Sequence, residues 1–152
     1  MRPAALLDSN VLIAAVDAEH VHHPPSLALI NDHPDETFAV AAHSFAETYS
    51  VLTNPAPRAP FRWPAERARA AIESLAAATR LVGLTHGQTF DALRDFAAGG
   101  GVGPRVYDRL IGEAAVRNGI GRILTWNARD MRALFPALEV QDPSACRRGV
   151  RP

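Results

Sequence analysis

The sequence contains no lysine, so all sixteen of its basic residues are arginine. This absence excludes chemistry that depends on a lysine amine, because the chain can form no Schiff base and has no P-loop lysine. The formal net charge is zero, so overall charge gives no argument for a nucleic-acid partner. Only local clusters of arginine bear on that question.

Cysteine is almost absent, since Cys146 is the only one. A single thiol excludes an intrachain disulfide and a thiolate metal cage, and it suits a reducing cytoplasm. Long apolar runs are also missing, because Asp, His, Arg or Pro interrupts each one within about a dozen positions. The first residues, MRPAALLDSNVL, include no signal-peptide cleavage site. We therefore expect a soluble, cytoplasmic protein with no membrane partner.

What the sequence does contain is an alternation of short apolar segments with longer amphipathic ones. The predicted strands are residues 4–7, 37–42, 80–84, 122–125 and 138–141, and the predicted helices are residues 10–18, 24–33, 45–52, 65–78, 87–98, 106–118 and 128–135. The expected N-cap of the third helix is His43 or Ser44. This order predicts an α/β fold, in which a parallel central sheet of about five strands carries helices on both faces. At 152 residues, we expect one domain over residues 1–145 and a C-terminal tail over residues 146–152.

Four acidic residues lie just beyond predicted strands or on the helices nearby. They are Asp8, Glu47, Asp108 and Asp130. Because ligands in parallel α/β folds bind beyond the carboxyl ends of the strands, we expect these side chains to converge at one edge of the sheet. Their mutual repulsion requires a cation, and Mg²⁺ prefers oxygen ligands while keeping several waters. We therefore assign direct metal contacts to Asp8 and Asp108, and expect Glu47 to hold a water or accept a proton.

Each of these acids also has a simpler structural interpretation. Asp8 is placed to cap a helix, and Asp108 to complement a helix dipole. A solvated position is less natural for Glu47, because its neighbours are mostly apolar. The polar residues near the acids can orient water or phosphate, or can simply cap helices. These polar residues are Ser9, Asn10 and His43.

Three segments together resemble the motifs of a known family. LLDSNVLIAA resembles the first-strand motif of the PIN-domain ribonucleases, AHSFAETYSVLT their second-acid helix, and VYDRLIGEAAVRNGIGRILTWNARDM their third-acid helix and following strand. The resemblance spans nearly the whole chain, and it is in particular to the VapC toxins of bacterial type II toxin-antitoxin modules. It implies acids at Asp8, Glu47 and Asp108, with a polar Thr125 after the strand.

The resemblance further implies a fourth site position, an activity and partners. Many relatives have an acid where this chain has Asn127, and because an amide bears no charge, either Asn127 or Asp130 fills that position. The implied activity is hydrolysis of RNA phosphodiester bonds with Mg²⁺ or Mn²⁺, and the expected ends are 5′-phosphate and 3′-hydroxyl. The implied partners are a second copy of the chain and a small antitoxin whose extended segment fills the cleft.

A basic patch with an aromatic residue lies around the start of the fourth predicted helix. It comprises Arg58, Arg62, Trp63, Arg67 and Arg69. We predict that its arginines bind RNA phosphates while Trp63 stacks on a base. The alternative is a solvated helix start with a tryptophan in the core. The arginines of the tail over residues 146–152 are typical of a frayed terminus.

Two further features favour structural interpretations. A zinc site at His20, His22 and His23 is conceivable, but no cysteine accompanies these residues, and a solvated turn is the preferred interpretation. The glycine-rich residues 99–103 follow a helix and not a strand, so they do not match a phosphate-binding loop. We interpret them as a mobile loop beside Asp108.

Two other functions fit parts of the pattern. A haloacid-dehalogenase-like phosphatase also begins with a strand-end aspartate, but it needs a second aspartate where Asn10 stands and a lysine that the chain lacks. A catalytically silent PIN-like module would keep the fold and bind RNA or a protein through the arginine patch. The neutral side chain of Asn127 favours this second alternative.

Overall fold

The computed structural model describes residues 2–33 and 36–146, and within them one parallel sheet lies at the centre of the fold. Its strands are β1 (Ala5–Leu7), β2 (Phe38–Ala41), β3 (Arg80–Val82), β4 (Arg122–Leu124) and β5 (Glu139–Gln141). Their order across the sheet is β3-β2-β1-β4-β5, and every neighbouring pair is parallel. The predicted five-stranded parallel sheet is confirmed.

Helices connect successive strands, as expected for parallel pairing. They are α1 (Ser9–Val16), α2 (His23–Asn31), α3 (Ala42–Leu52), α4 (Ala65–Ala78), α5 (His86–Ala98), α6 (Arg105–Arg117) and α7 (Ala128–Leu134), with a final 3-10 helix at Pro143–Cys146. Most ends differ from the predicted ends by one or two residues. The expected cap of α3 is wrong, because this helix begins directly after β2 with Ala41 as its N-cap. His43 and Ser44 therefore lie inside its first turn.

The core has two parts, one on each face of the sheet. Successive strand residues point to opposite faces, so Leu6 and Ile123 pack with α6 and α7. Leu7 and Leu124 point the other way and pack with α1, α2 and α4. Helices on both faces are thus confirmed, and the buried strands account for the continuous apolar segments in the sequence.

At the C-terminal end, the structure describes the chain as far as Cys146. Cys146 accepts a hydrogen bond of 2.8 Å from Nη2 of Arg122, and burial raises the pKa of its thiol. The tail arginines Arg147, Arg148 and Arg151 lie outside the described residues, so the predicted tail stays a prediction.

None of the helices in the described ranges is long and apolar enough to cross a membrane.

Helices α6 and α7 approach closely at a glycine. The ring of Phe135 occupies the space that a Cβ at Gly112 would need, and both residues are buried. The guanidinium of Arg109 lies 5.3 Å from the centroid of the same ring. Close packing here holds α6, and therefore Asp108, against the rest of the fold.

We expect Gly112→Ala to lower the free energy of unfolding by about 1–3 kcal/mol, because the added methyl group overpacks against Phe135. Urea unfolding followed by circular dichroism measures this change. Gly87→Ala is the matched control, since it also lies in a helix and no described atom lies within 4 Å of its Cβ position. The control should be neutral or more stable by up to about 1 kcal/mol. Equal stability of the two variants would contradict the packing described for Gly112.

Candidate active site

Asp8 lies at the corner where β1 ends and α1 begins. It is the N-cap of α1, and its Oδ1 accepts a hydrogen bond of 2.7 Å from the backbone N–H of Ser9. Its Oδ2 accepts a second bond of 2.7 Å from the hydroxyl of Thr125, which follows β4. The side chain is only 3% exposed. The bond from Thr125 ties this carboxylate to the segment after β4, which helix capping alone does not require.

Thr125 is itself held by a short polar network. Its hydroxyl oxygen accepts hydrogen bonds from Nδ2 of Asn10 at 3.1 Å and from the backbone N–H of Asn127 at 3.0 Å. Oδ1 of Asn10 accepts a further bond of 3.1 Å from the backbone N–H of Trp126. The structure therefore places Asn10 and Thr125 where they fix the orientation of Asp8.

Glu47 approaches Asp8 from α3. The hydroxyl of Ser9 donates to Oε1 of Glu47 at 2.9 Å and lies 3.3 Å from Oδ1 of Asp8, so Ser9 lies between the two acids. Oε2 of Glu47 is buried and has no hydrogen-bond partner among the described residues. Burial raises the pKa of Glu47, and the charge of Asp8 raises it further. A buried carboxylate oxygen in this setting needs a positive partner or a proton.

Asp108 completes the group of acids from the first turn of α6. Burial and the charges of Asp8 and Glu47 raise its pKa to about 6. Arg105, which the sequence analysis did not single out, opposes this shift and lies at the start of the same helix. Ser9 joins Asp8 to Glu47, and Asp108 lies near enough for the charges of both acids to act on it, whereas a shared metal site of the three stays a prediction.

The fourth position contains both candidates from the sequence. Nδ2 of Asn127 donates a hydrogen bond of 2.9 Å to Oδ2 of Asp130. The charge of Asp130 contributes to the raised pKa of Asp108, so Asp130 is the fourth acid near the site. Asn127 is exposed and holds that acid in place. Nη2 of Arg105 also contacts the backbone carbonyl of Asp130 at 3.3 Å.

His43 lies one helical turn before Glu47 on α3. Burial lowers the pKa of its imidazole, while a backbone hydrogen bond with Tyr107 and the charge of Asp8 oppose this shift. Its Nε2 is buried and has no hydrogen-bond partner within the part of the chain that the structure describes. His43 is therefore beside the acids, although it is not the helix cap that the sequence suggested.

The donor set fits a hard divalent ion. Oxygen atoms dominate the site, one carboxylate oxygen of Glu47 is buried without a partner, and the pKa values of the three acids are raised. In residues 2–33 and 36–146, no three His, Cys, Asp or Glu side chains form a ready-made metal cage. Mg²⁺ does not need one, since it binds through one or two carboxylates and keeps several waters.

The three histidines considered for zinc are separately engaged. Nδ1 of His23 lies 2.8 Å from the backbone oxygen of Ala14, and Nδ1 of His20 accepts from the backbone N–H of His22 at 3.0 Å. The ring of His22 stacks on Trp126 with a centroid distance of 3.8 Å. These contacts agree with a structural turn and give no support to a zinc site.

The basic patch begins beside the C-terminal end of α3. The backbone N–H of Trp63 donates to the carbonyl of Leu52 at the end of α3, roughly 8 Å along the helix axis from Glu47. The guanidinium of Arg67 lies 3.7 Å from the centroid of the Trp63 ring and covers one face of it. Arg69 is paired with glutamates of its own helix, Glu66 and Glu73. Arg58, Arg62 and Arg67 are exposed, so RNA binding by these residues and Trp63 stays a prediction.

Several solved structures share this fold. VapC20 of Mycobacterium tuberculosis, a sarcin-ricin loop cleaving toxin, has a TM-score of 0.67 at 15% identity, over 85% of this chain and 94% of that one. VapBC2 of Rickettsia felis, bound to a DNA fragment from its promoter, has a TM-score of 0.63 at 15% identity, over 91% and 97%. VapBC-1 of nontypeable Haemophilus influenzae has a TM-score of 0.61 at 15% identity, over 92% and 98%. No curated protein sequence matches the chain.

The sequence match agrees with the fold. The PIN domain family matches residues 5–134, which is most of the chain. This range contains every acid of the site, namely Asp8, Glu47, Asp108 and Asp130. The resemblance found in the three sequence motifs is therefore confirmed at the level of the family. The chain belongs to the PIN domain family.

Proposed function

We propose that this protein is a metal-dependent endoribonuclease that acts in the cytoplasm as the toxin of a toxin-antitoxin pair. The observation that carries the proposal is the hydroxyl of Ser9 between the carboxylates of Asp8 and Glu47, with Asp108 close enough for both charges to raise its pKa. Structural ion-pair networks also shift pKa values, but here Arg105 only opposes a shift of Asp108 that burial and the neighbouring acids cause. A group of acids of this kind suits a bound cation and a phosphate.

Asp8 and Asp108 are the residues that we assign to Mg²⁺ or Mn²⁺. When bound, such an ion offsets charge on the transferring phosphate and orients the attacking water. Thr125 and Ser9 hold the carboxylate of Asp8 in one orientation through hydrogen bonds of 2.7 Å. Asn127 does the same for Asp130, with a bond of 2.9 Å. Together these contacts pre-position the oxygen ligands before any substrate arrives.

Glu47 is the residue that we assign to proton transfer. Its Oε1 is fixed by Ser9, whereas its Oε2 is left without a partner among the described residues. The raised pKa brings this carboxylate closer to neutral pH, which favours its action as a general base. Water would add to phosphorus and lose a proton to Oε2, and the bond to the 3′ oxygen would break while that oxygen takes a proton from solvent water. The products would have 5′-phosphate and 3′-hydroxyl ends.

The partners follow from the structural neighbours and not from this chain alone. VapBC2 and VapBC-1 are complexes, and VapC20 is a toxin. On this basis we propose an antitoxin that covers the acidic site. A homodimer is also proposed, with the part of α4 around residues 70–78 as its contact face.

We expect Asp8→Asn and Asp108→Asn each to reduce cleavage of labelled RNA by at least about 100-fold in the presence of Mg²⁺ or Mn²⁺. Chelation with EDTA should abolish cleavage by the unmodified protein. The matched control is Asp91→Asn, because Asp91 is an exposed aspartate of α5 with only a weak contact to Arg94. It should cleave at the unmodified rate.

Cleavage at the same rate by all of these variants would exclude the proposed site. RNA binding without cleavage by the unmodified protein, with either ion, would support the catalytically silent module instead. Circular dichroism of each variant shows whether lost activity reflects lost folding.

The raised pKa of Asp108 predicts how the free energy of unfolding depends on pH in the absence of metal. In the native state its pKa is about 6, whereas the unfolded chain binds this proton near 3.8. Lowering the pH from 7 to 5 therefore protonates native Asp108 first and raises the free energy of unfolding. Because Asp108 is only half-buried, solvent screening reduces this gain to about 1 kcal/mol.

Urea unfolding in EDTA at pH 7 and pH 5 measures this effect. Asp108→Asn should be more stable than the unmodified protein at pH 7 and should lose this part of the pH dependence. At pH 7, Mg²⁺ or Mn²⁺ should raise the Tm of the unmodified protein and of Asp91→Asn, but not of Asp108→Asn. An equal rise in all three proteins would place the ion elsewhere.

A further inference from the structure

A cavity of about 300 Å³ lies directly beside the acids. Its walls come from the outer face of α3 and from the first turn of α6. The described lining residues are His43, Ala46, Glu47, Ser50, Val51 and Tyr107. Glu47 belongs both to this cavity and to the acidic site, so the two are continuous.

The chemistry of the lining limits what can bind there. Ala46 and Val51 give an apolar wall, and Tyr107 is 47% exposed, which is high for an aromatic ring. Of the described lining residues, only Glu47 is an acid and none is an arginine. A phosphate would be repelled by Glu47 and would find no cation in the cavity. A flat, neutral ring with polar edges fits this lining.

We propose that the cavity binds one unpaired base of the RNA strand, stacked on Tyr107, with its polar edge toward Ser50. The inference rests on the proposed function, because an RNA phosphate at the acids would place a neighbouring base next to Glu47. A base inside a duplex is already stacked on its neighbours and cannot enter, so the cavity selects single-stranded segments. Tyr107 is then a specificity-determining residue of the reaction.

The contacts of His43 agree with this assignment. Its Nε2 is buried, and its ring is hydrogen-bonded to the backbone of Tyr107. His43 therefore connects the proposed stacking residue to the α3 wall. Stacking on Tyr107 would give affinity for any base, whereas a hydrogen bond with Ser50 would discriminate between bases.

The test uses the full chain with Asp8→Asn, which prevents cleavage during the measurement. The probes are short single-stranded RNAs that carry 2-aminopurine at successive positions, and duplexes of the same sequences. Fluorescence anisotropy gives the affinity, and quenching of 2-aminopurine reports stacking. We expect quenching at one position of the single strand and none in the duplex.

Adding Tyr107→Ala should weaken single-strand binding about tenfold and remove the quenching, while duplex affinity stays unchanged. Tyr107→Phe should keep both signals, because it keeps the ring. The matched control is Tyr49→Ala, which removes a tyrosine of α3 that is 39% exposed and is not among the described lining residues. It should behave like the parent chain.

Unchanged affinity and quenching in Tyr107→Ala would overturn the proposal. This is also the result expected if the cavity is reserved for an apolar side chain of a protein partner. Failure of the proposed function is distinguishable from failure of this inference. If 2-aminopurine stacks but the unmodified chain cleaves no RNA, the base site is supported and the nuclease function is not. If the chain cleaves RNA and Tyr107→Ala changes neither affinity nor quenching, the nuclease function is supported and the base site is not.

Discussion

The buried carboxylate of Asp8 is the feature on which the rest of the site depends. An ionised carboxylate removed from water costs several kcal/mol unless hydrogen bonds or opposite charge compensate. Ser9 and Thr125 supply hydrogen bonds to both oxygens, yet burial still raises the pKa of Asp8 above its ordinary value. The hydrogen bonds from Ser9 and Thr125 therefore offset only part of the cost of burying this charge. Parallel pairing of β1 with β4 is what brings Thr125 to this carboxylate.

The other acids increase this cost. Glu47 and Asp108 bring further negative charge to the same edge of the sheet. The charge of Asp8 raises the pKa of both, and the charge of Glu47 raises that of Asp108. Burial and repulsion therefore disfavour the ionised form of these acids at neutral pH, and the proposed cation would offset that charge. Apolar packing on both faces of the sheet provides the stability that such a site requires. The proposed function needs these acids close together, whereas the folded state would be more stable if they were further apart.

Much of the fold was predictable, because apolar periodicity is a local property. The strand at Ala5–Leu7 and the helix at Ala65–Ala78 lie at or within one residue of their predicted positions. The start of α3 was not predictable, since Ala41 has no capping side chain and the polar residues His43 and Ser44 follow it. The fourth acidic position was also ambiguous in the sequence, because Asn127 and Asp130 are both candidates for it. Asn127 matches the family position, but only the fold shows that its amide holds the carboxylate of Asp130.

The sequence by itself determined the alternating layers and the presence of acids just beyond the strands, because both follow from short-range patterns. Only the tertiary structure decided which side chains meet. Thr125 and Asp8 are 117 positions apart, and Ser9 and Glu47 are 38 apart. The strand order β3-β2-β1-β4-β5 creates these pairs, and local periodicity does not encode strand order. The cavity beside Tyr107 has the same origin, since α3 and α6 become neighbours only when the sheet has formed.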